Sequence, residues 1–166
     1  MSDPQARVTP TNVKPVSETP TKPTDYAALS AGYGTLLGAL VLGARERGQA
    51  VGGEEIPALG LAAFALAKLI AKEKVETWMR EPFVEETPHG RRPKGTGMRY
   101  AIGELLTCTR CVGAWSSLAL VGLRVTRPRE ARVVTAVLAT SALNDFLQTG
   151  FNWACAAANA ADRQSG

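Results

Sequence analysis

The chain has 166 residues, a hydrophobic content of 45% and a net charge of +4, enough for one domain of ordinary size. Its Lys and Arg residues lie between apolar blocks and are interleaved with glutamates, without a basic stripe that alternates with aromatics, so a nucleic-acid partner is not expected. Three cysteines and the lack of an apolar signal segment at the N-terminus argue against a secreted disulfide scaffold.

The first 26 residues predict a disordered tail. Five of the ten prolines lie here, among Thr and Ser, with Tyr26 as the one aromatic residue. Such a segment cannot bury enough apolar surface to offset the entropy of ordering it. We expect one folded domain over residues 27–161, followed by a short C-terminal tail at 162–166.

Residues 27–44 predict the first membrane-spanning helix, because these 18 residues carry no charge. Small residues recur every four positions at Ser30, Gly34 and Gly38, which places them on one face of the helix. Small residues on a shared face allow another helix backbone to approach closely. We therefore expect these three residues to form a helix-packing surface, which a homo- or hetero-oligomer would use.

A second helix is predicted over residues 56–80. Its apolar part is short for a membrane span, and Lys68 would have to reach a headgroup region. Trp78 favours a C-terminal part that lies along the membrane interface. A basic loop rich in Gly and Pro follows, and it contains the single histidine, His89.

Two further helices are predicted over residues 101–125 and 133–160, adjacent and antiparallel because a brief linker joins them. Four helices of this kind predict an all-α, multi-spanning bundle whose surroundings are the lipid bilayer. Twelve Lys and Arg residues lie in the two tails and the middle loop, against six in the other two loops. The positive-inside rule therefore predicts a multi-pass protein of the cell membrane with both termini in the cytoplasm.

The fourth predicted helix has one polar face. Asp145 is its only charged residue, and Gln148 and Asn152 follow at helical spacing. Two interpretations remain open. The polar face either joins helices through side-chain hydrogen bonds, or Asp145 is a functional intramembrane acid, as in a small transporter component.

The cysteines permit three interpretations. Cys108 and Cys111 form a C-x-x-C pair at the start of an apolar run, and Cys155 is expected near the same membrane face. With His89, these thiols supply the ligand number of a closed zinc site. Alternatively, a helix N-terminus and a neighbouring arginine would lower a thiol pKa and favour a redox pair. The third interpretation is close helix packing by small side chains.

The sequence names no reaction. It contains no supported Ser/His/Asp arrangement, no phosphate-binding glycine loop and no recognisable pair of catalytic carboxylates. We therefore expect a structural or accessory, partner-binding membrane subunit rather than an enzyme.

One stretch, "GELLTCTRCVGAW", resembles an uncharacterised bacterial membrane family, the domain of unknown function numbered 1360. The resemblance covers roughly residues 60–150 and includes an Asp-Phe-Leu motif that begins at Asp145. It implies a multi-spanning bacterial membrane protein without an agreed activity. The most specific positions are Gly103, Glu104, Leu105, Cys108, Cys111, Gly113 and Trp115.

Overall fold

Helices make up most of the part of the chain that the computed structural model describes, residues 15–88 and 90–165. The predicted all-α class is confirmed, although the described residues also include one short hairpin. In chain order the elements are α1 (Pro23–Glu46), α2 (Ile56–Lys72), α3 (Thr77–Arg80), β1 (Val84–Thr87), β2 (Gly90–Pro93), α4 (Met98–Thr107), α5 (Thr109–Thr126) and α6 (Pro128–Ser165).

Helix α2 forms the centre of the bundle, between α5 and α6. One core cluster joins α2 to Leu120 of α5 and Ala139 of α6, and a second joins it to Val112 of α5. Because most of the buried α2 side chains are alanines, the neighbouring helices can approach its backbone closely. These buried residues are Leu59, Ala62, Ala63, Ala65, Ala67 and Ala71.

Helix α1 lies at the edge of the bundle, against α4 and α5, and buries none of its residues. It begins at Pro23, a favourable residue in a first helical turn, and Asp25 accepts the backbone N–H of Lys22 at 2.9 Å. The predicted boundary at residue 26 is therefore four residues too late. Residues 1–14 of the predicted tail lie outside the described residues.

The predicted helix over 56–80 is broken. Its backbone is extended at Glu73, where α2 ends, and a 3-10 turn at Lys74–Glu76 leads into the four-residue α3. The region predicted as an irregular loop then forms the antiparallel hairpin β1–β2. The sequence pattern does not reveal this break, because apolar residues continue past residue 72. The break is caused by side chains that follow later in the chain, Arg80 and Arg91.

Two arginines bind the C-terminal end of α2. Arg80 is 1% exposed and donates to the carbonyls of residues 70 and 73, and Arg91 donates to those of residues 71 and 72. Glu86 on β1 accepts from Arg91 at 3.2 Å and from Arg80 at 3.4 Å. Cations at a helix C-terminus satisfy its unpaired carbonyls and oppose its dipole, so Arg80 of α3 and Arg91 of the hairpin together end α2.

The predicted helix over 101–125 is two helices, α4 and α5, which meet at a bend of 90°. Between them Cys108 has φ −92° and ψ 105°, outside the helical region. The fourth helix is longer than predicted, 38 residues rather than the stretch 133–160, so the expected C-terminal tail is helical as far as Ser165.

Only α1, among the helices of the described residues, is long and apolar enough by itself to cross a membrane. Helices α4 and α5 are long and apolar enough to cross a membrane only if the two are counted together as one bent span. The expected bundle of about four spans is therefore not supported. Helix α2 is too short at 17 residues, and polar side chains along α6 lower its hydropathy.

Candidate functional site

The C-x-x-C pair lies at the joint between α4 and α5. The N–H of Cys108 donates to the carbonyl of Glu104 at 3.1 Å and thereby closes α4. The sulfur of the same residue accepts the N–H of Cys111 at 3.4 Å and caps α5. One thiol therefore lies at the positive end of the α5 dipole, where a negative charge is stabilised.

The two thiols have opposite pKa shifts. Burial raises the pKa of Cys108, but hydrogen bonds from the Cys111 thiol and from the backbone N–H groups of Cys111 and Arg110 outweigh it, so the pKa lies below its ordinary value. Burial, together with the hydrogen bond to Cys108 and the negative charges of Cys108 and Glu104, raises the pKa of Cys111 to about 11. The pair is therefore chemically asymmetric.

A cavity of about 840 Å³ opens beside the pair. Its walls are the first turns of α1, helix α4, the beginning of α5 and the hairpin strand β2. A volume of this size is in the range of small-molecule sites. Its lining includes both cysteines, and most of the other side chains are apolar or aromatic: Tyr26, Leu29, Tyr33, Pro93, Ala101, Leu105, Ala114 and Trp115.

Two contacts join α1 to the other walls of this cavity. In the first, the hydroxyl of Tyr26 donates to a carboxylate oxygen of Glu104, and Thr21, which precedes α1, donates to that hydroxyl at 3.1 Å. In the second, the rings of Tyr33 and Trp115 meet edge to face with centroids 5.3 Å apart. Aromatic pairs in this arrangement are favourable. The motif residues Glu104 and Trp115 therefore hold α1 against the bend.

The two motif glycines have different roles. A Cβ at Gly103 would lie 2.5 Å from the carbonyl oxygen of Phe83 and 2.9 Å from the Cβ of Pro93, so α4 packs directly on the hairpin there. A Cβ at Gly113 would meet only the Cβ of Ala67, at 3.9 Å, which is an ordinary contact. At Gly103, therefore, close packing leaves no room for a larger side chain, whereas at Gly113 there is room for a methyl group.

Among the described residues of the expected zinc site, Cys155 does not join Cys108 and Cys111. Cys155 lies exposed on α6 and does not line the cavity, and His89 lies outside the described residues. No group of three or more His, Cys, Asp or Glu residues suited to a metal ion occurs among residues 15–88 and 90–163. Zinc binding by this set remains a prediction without geometric support.

The polar face of α6 has one strong contact. Asp145 accepts from the ammonium group of Lys68 on α2 at 2.9 Å, and the two side chains are 36% and 39% exposed. The hydrogen bond from Lys68 to Asp145 raises the pKa of the lysine. Gln148 and Asn152 are exposed. This pair favours the helix-joining interpretation, because the carboxylate already has a cationic partner.

The predicted packing residues of α1 are divided between two surroundings. Ser30 lines the cavity beside the cysteines. Gly34 and Gly38 are exposed, and a Cβ at either would meet nothing within 4 Å. No other helix of the described chain packs against these glycines.

Residues 58–151 match a family described as "Protein of unknown function (DUF1360)". This chain belongs to that family. It is also 32% identical over 108 residues to the sporulation protein YjcA of Bacillus subtilis (strain 168), an alignment that covers 60% of this chain and 92% of the relative. No solved structure matches the chain.

The family region contains the site's motif but not the whole cavity. The C-x-x-C pair, Glu104, Trp115 and Asp145 all lie within residues 58–151, as the sequence resemblance implied. Helix α1, which supplies Tyr26 and Tyr33, precedes the matched region. A DUF1360 domain therefore provides the bent helix pair, and in this chain α1 completes the cavity.

Sequence reasoning missed three of the site's contributors. Tyr33 and Arg91 line the cavity, and Tyr26 was assigned to the tail. Their roles depend on how α1 and the hairpin pack, for which the chain offers no local pattern. The ion pair between Lys68 and Asp145 could have been predicted from the sequence. Each residue is an isolated charge in an apolar segment, and such charges usually pair.

Proposed function

We propose that this protein is a small membrane protein of a bacterial cell, attached through α1, that acts as a structural or accessory subunit and binds a partner. The carrying observation is the surface of α1. This helix has 24 residues and buries none of them, although its middle is strongly apolar. Leu36, Leu37, Val41 and Leu42 are between 43% and 60% exposed. A bilayer would cover these side chains.

The dimensions of α1 support this placement. At 1.5 Å per residue the helix is about 36 Å long, whereas a bilayer's hydrocarbon core is about 30 Å thick. Charged residues lie only near its two ends: Lys22 and Asp25 at one, and Arg45, Glu46 and Arg47 at the other. They would lie at the two headgroup regions. By contrast, the uncharged stretch 111–123 of α5 is about 20 Å long and too short to cross alone.

Helix α6 supplies a second uncovered apolar surface. Leu147 and Phe151 are 72% and 70% exposed, lie one turn apart on the same face, and are beyond the part of α6 that packs in the core. Large adjacent apolar side chains of this kind mark an interaction surface on a folded chain. Lipid or a partner helix would cover it.

The partner-binding part of the proposal rests on Gly34 and Gly38. They are exposed, lie on one face of the proposed span and have open space beside them. Two glycines four residues apart let a second transmembrane helix pack closely. We propose that the occupant is the α1 helix of a second copy of this chain.

Membrane topology follows from the number of spans. If α1 alone crosses, the two ends of the chain lie on opposite sides of the bilayer. The expectation that both termini are cytoplasmic requires a second crossing, which α4 and α5 would have to make as one bent span. That expectation remains a prediction. The relative's name links that protein to sporulation, and we propose a sporulating bacterium's membrane as one setting for this chain.

Carbonate extraction of bacterial membranes tests the attachment. We expect the chain to stay in the membrane pellet, because α1 is inserted. The double variant Leu36→Lys/Val41→Lys should wash off, since each lysine at the centre of a span costs about 3 kcal/mol. The control Leu36→Ile/Val41→Ile should stay in the pellet. Release of the unmodified chain by carbonate would refute membrane attachment.

Cross-linking in the same washed membranes tests the partner-binding part. We expect a cross-linked dimer of the unmodified chain, lost in Gly38→Leu because the side chain holds the second helix away. The control Ala39→Leu places the same side chain about 100° around the helix and should keep the dimer. A chain that gives only monomer, or a dimer that Gly38→Leu leaves unchanged, would contradict a Gly34–Gly38 interface.

A further inference from the structure

The cysteine pair has a feature that neither membrane attachment nor helix packing requires: both thiols can be reached from the cavity. Cys111 is exposed, Cys108 is half-buried, and both line the cavity wall. Cysteines that serve only for packing are usually buried and inert. A free, accessible pair beside a cavity is suited to chemistry.

The positions of the two sulfurs suit a reversible disulfide. The residues are three apart on the first turn of α5, where side chains are neighbours. The Cys108 sulfur accepts the backbone N–H of Cys111 at 3.4 Å, so the two residues already lie against each other at the start of α5. A C-x-x-C pair at the start of a helix is the arrangement in which dithiol redox motifs occur.

We propose that Cys108 and Cys111 form a dithiol–disulfide exchange site, in which Cys108 attacks and Cys111 resolves, and that its substrate is a low-molecular-mass disulfide bound in the adjacent cavity. The volume of about 840 Å³ admits a molecule of that size. The aromatic and apolar walls would hold its carbon skeleton. This proposal does not depend on membrane attachment.

The exchange has two steps. The Cys108 thiolate attacks one sulfur of the substrate, the substrate's S–S bond breaks, and its other sulfur leaves as a thiolate, which produces a mixed disulfide. Cys111 then gives its proton to the departing thiolate and attacks the Cys108 sulfur. The bond between Cys108 and the substrate breaks, and the second substrate sulfur leaves as a thiolate. The substrate disulfide is reduced to two thiols while the pair is oxidised to a disulfide.

The electrostatics assign the two roles. The thiol at the positive end of α5 has the lowered pKa and supplies a thiolate for attack. The thiol near Glu104 has a pKa of about 11 and keeps its proton until the mixed disulfide has formed. Arg110, adjacent in sequence to Cys111, adds a positive charge that stabilises the Cys108 thiolate.

The test uses the full chain in detergent micelles, reduced and then treated with oxidised glutathione as the probe. All variants carry Cys155→Ser, which removes an exposed thiol outside the cavity. Intact-mass spectrometry after acid quenching should show that the parent loses two hydrogens and retains no glutathione. Cys111→Ser should retain one glutathione on Cys108. Cys108→Ser should react at least about tenfold more slowly, because the thiol that caps α5 is gone, while burial and Glu104 still raise the pKa of the remaining Cys111.

Two outcomes would overturn the proposal. One is a parent that carries glutathione on both cysteines without an internal disulfide. The other comes from the pKa of Cys108, measured in Cys111→Ser from the pH dependence of iodoacetamide alkylation. If this pKa is no lower in the folded chain than in the same chain unfolded in urea, the fold does not activate the thiol. Circular dichroism of each variant verifies that it is folded. The urea comparison uses the same variant in its folded and unfolded states.

Discussion

At the scale of single residues, the motif glycines can be told apart by what surrounds them. Gly103→Ala would place a methyl group against the Phe83 carbonyl and the Pro93 ring, which must move apart. We expect a loss of about 1–3 kcal/mol in the free energy of unfolding, measured by chemical denaturation. Gly113→Ala is the matched control and should not destabilise, because its new methyl group meets only Ala67 at 3.9 Å. Equal losses in both variants would contradict this packing.

The motif's chemistry could be predicted from the sequence, but its geometry could not. The C-x-x-C spacing, the neighbouring arginine and the apolar run that follows were all visible, and they left packing, metal and redox interpretations open. The decisive fact is that Cys108 leaves the helical conformation and caps α5. A cysteine is an uncommon N-cap residue, so propensity alone predicts an unbroken helix there.

At the scale of elements, the hairpin fixes the end of α2 through charge. Desolvation raises the pKa of Glu86, but hydrogen bonds from Arg80, Arg91 and Thr77 outweigh it and hold that pKa below the ordinary value of 4.5. A carboxylate with a lowered pKa contributes stability above its unfolded pKa and loses it as the pH falls through the folded value. The attachment of the hairpin to α2 should therefore weaken in acid.

Thermal unfolding as a function of pH tests this attachment. At neutral pH we expect Glu86→Gln to melt below the unmodified chain, because both arginines lose their charged partner. The difference should shrink as the pH falls below the ordinary carboxyl pKa of 4.5 and through the lower pKa of Glu86 in the folded chain, because the carboxylate then takes up a proton. Glu85→Gln is the matched control, since Glu85 is exposed and adjacent on β1. A difference that stays constant with pH would rule out the charge of Glu86 as its source.

The elements also show where sequence patterns stop being informative. Helices α1 and α6 were predicted because long apolar or periodic stretches determine them locally. The break at Glu73 and the hairpin were not, because they depend on Arg80 and Arg91, which bind carbonyls ten and twenty residues away. The periodicity of apolar residues indicates which face of a helix is buried. It contains no information on an arginine of another element that binds the carbonyls at the end of that helix.

At the scale of the whole molecule, the chain consists of a family domain and an added helix. The DUF1360 match begins within α2 and ends within α6, so it includes both core clusters, which contain no α1 residue. Helix α1 joins this domain through the Tyr26–Glu104 hydrogen bond and the Tyr33–Trp115 ring contact. Folding of the domain and the proposed attachment to the membrane through α1 should therefore be separable.

Deletion of residues 1–47 tests this separation. We expect the remaining chain to keep its helical circular dichroism in detergent and to lose no more than about 6 kcal/mol in the free energy of unfolding, the upper value of one charged hydrogen bond, the Gly97–Pro20 backbone hydrogen bond and one aromatic pair. It should also wash off bacterial membranes in carbonate, because the proposed span is absent. The double variant Tyr26→Phe/Tyr33→Leu is the control: it should show a similar loss of stability yet stay in the membrane. Collapse of helicity in the shortened chain would mean that α1 is part of the folding core, despite having no buried residue.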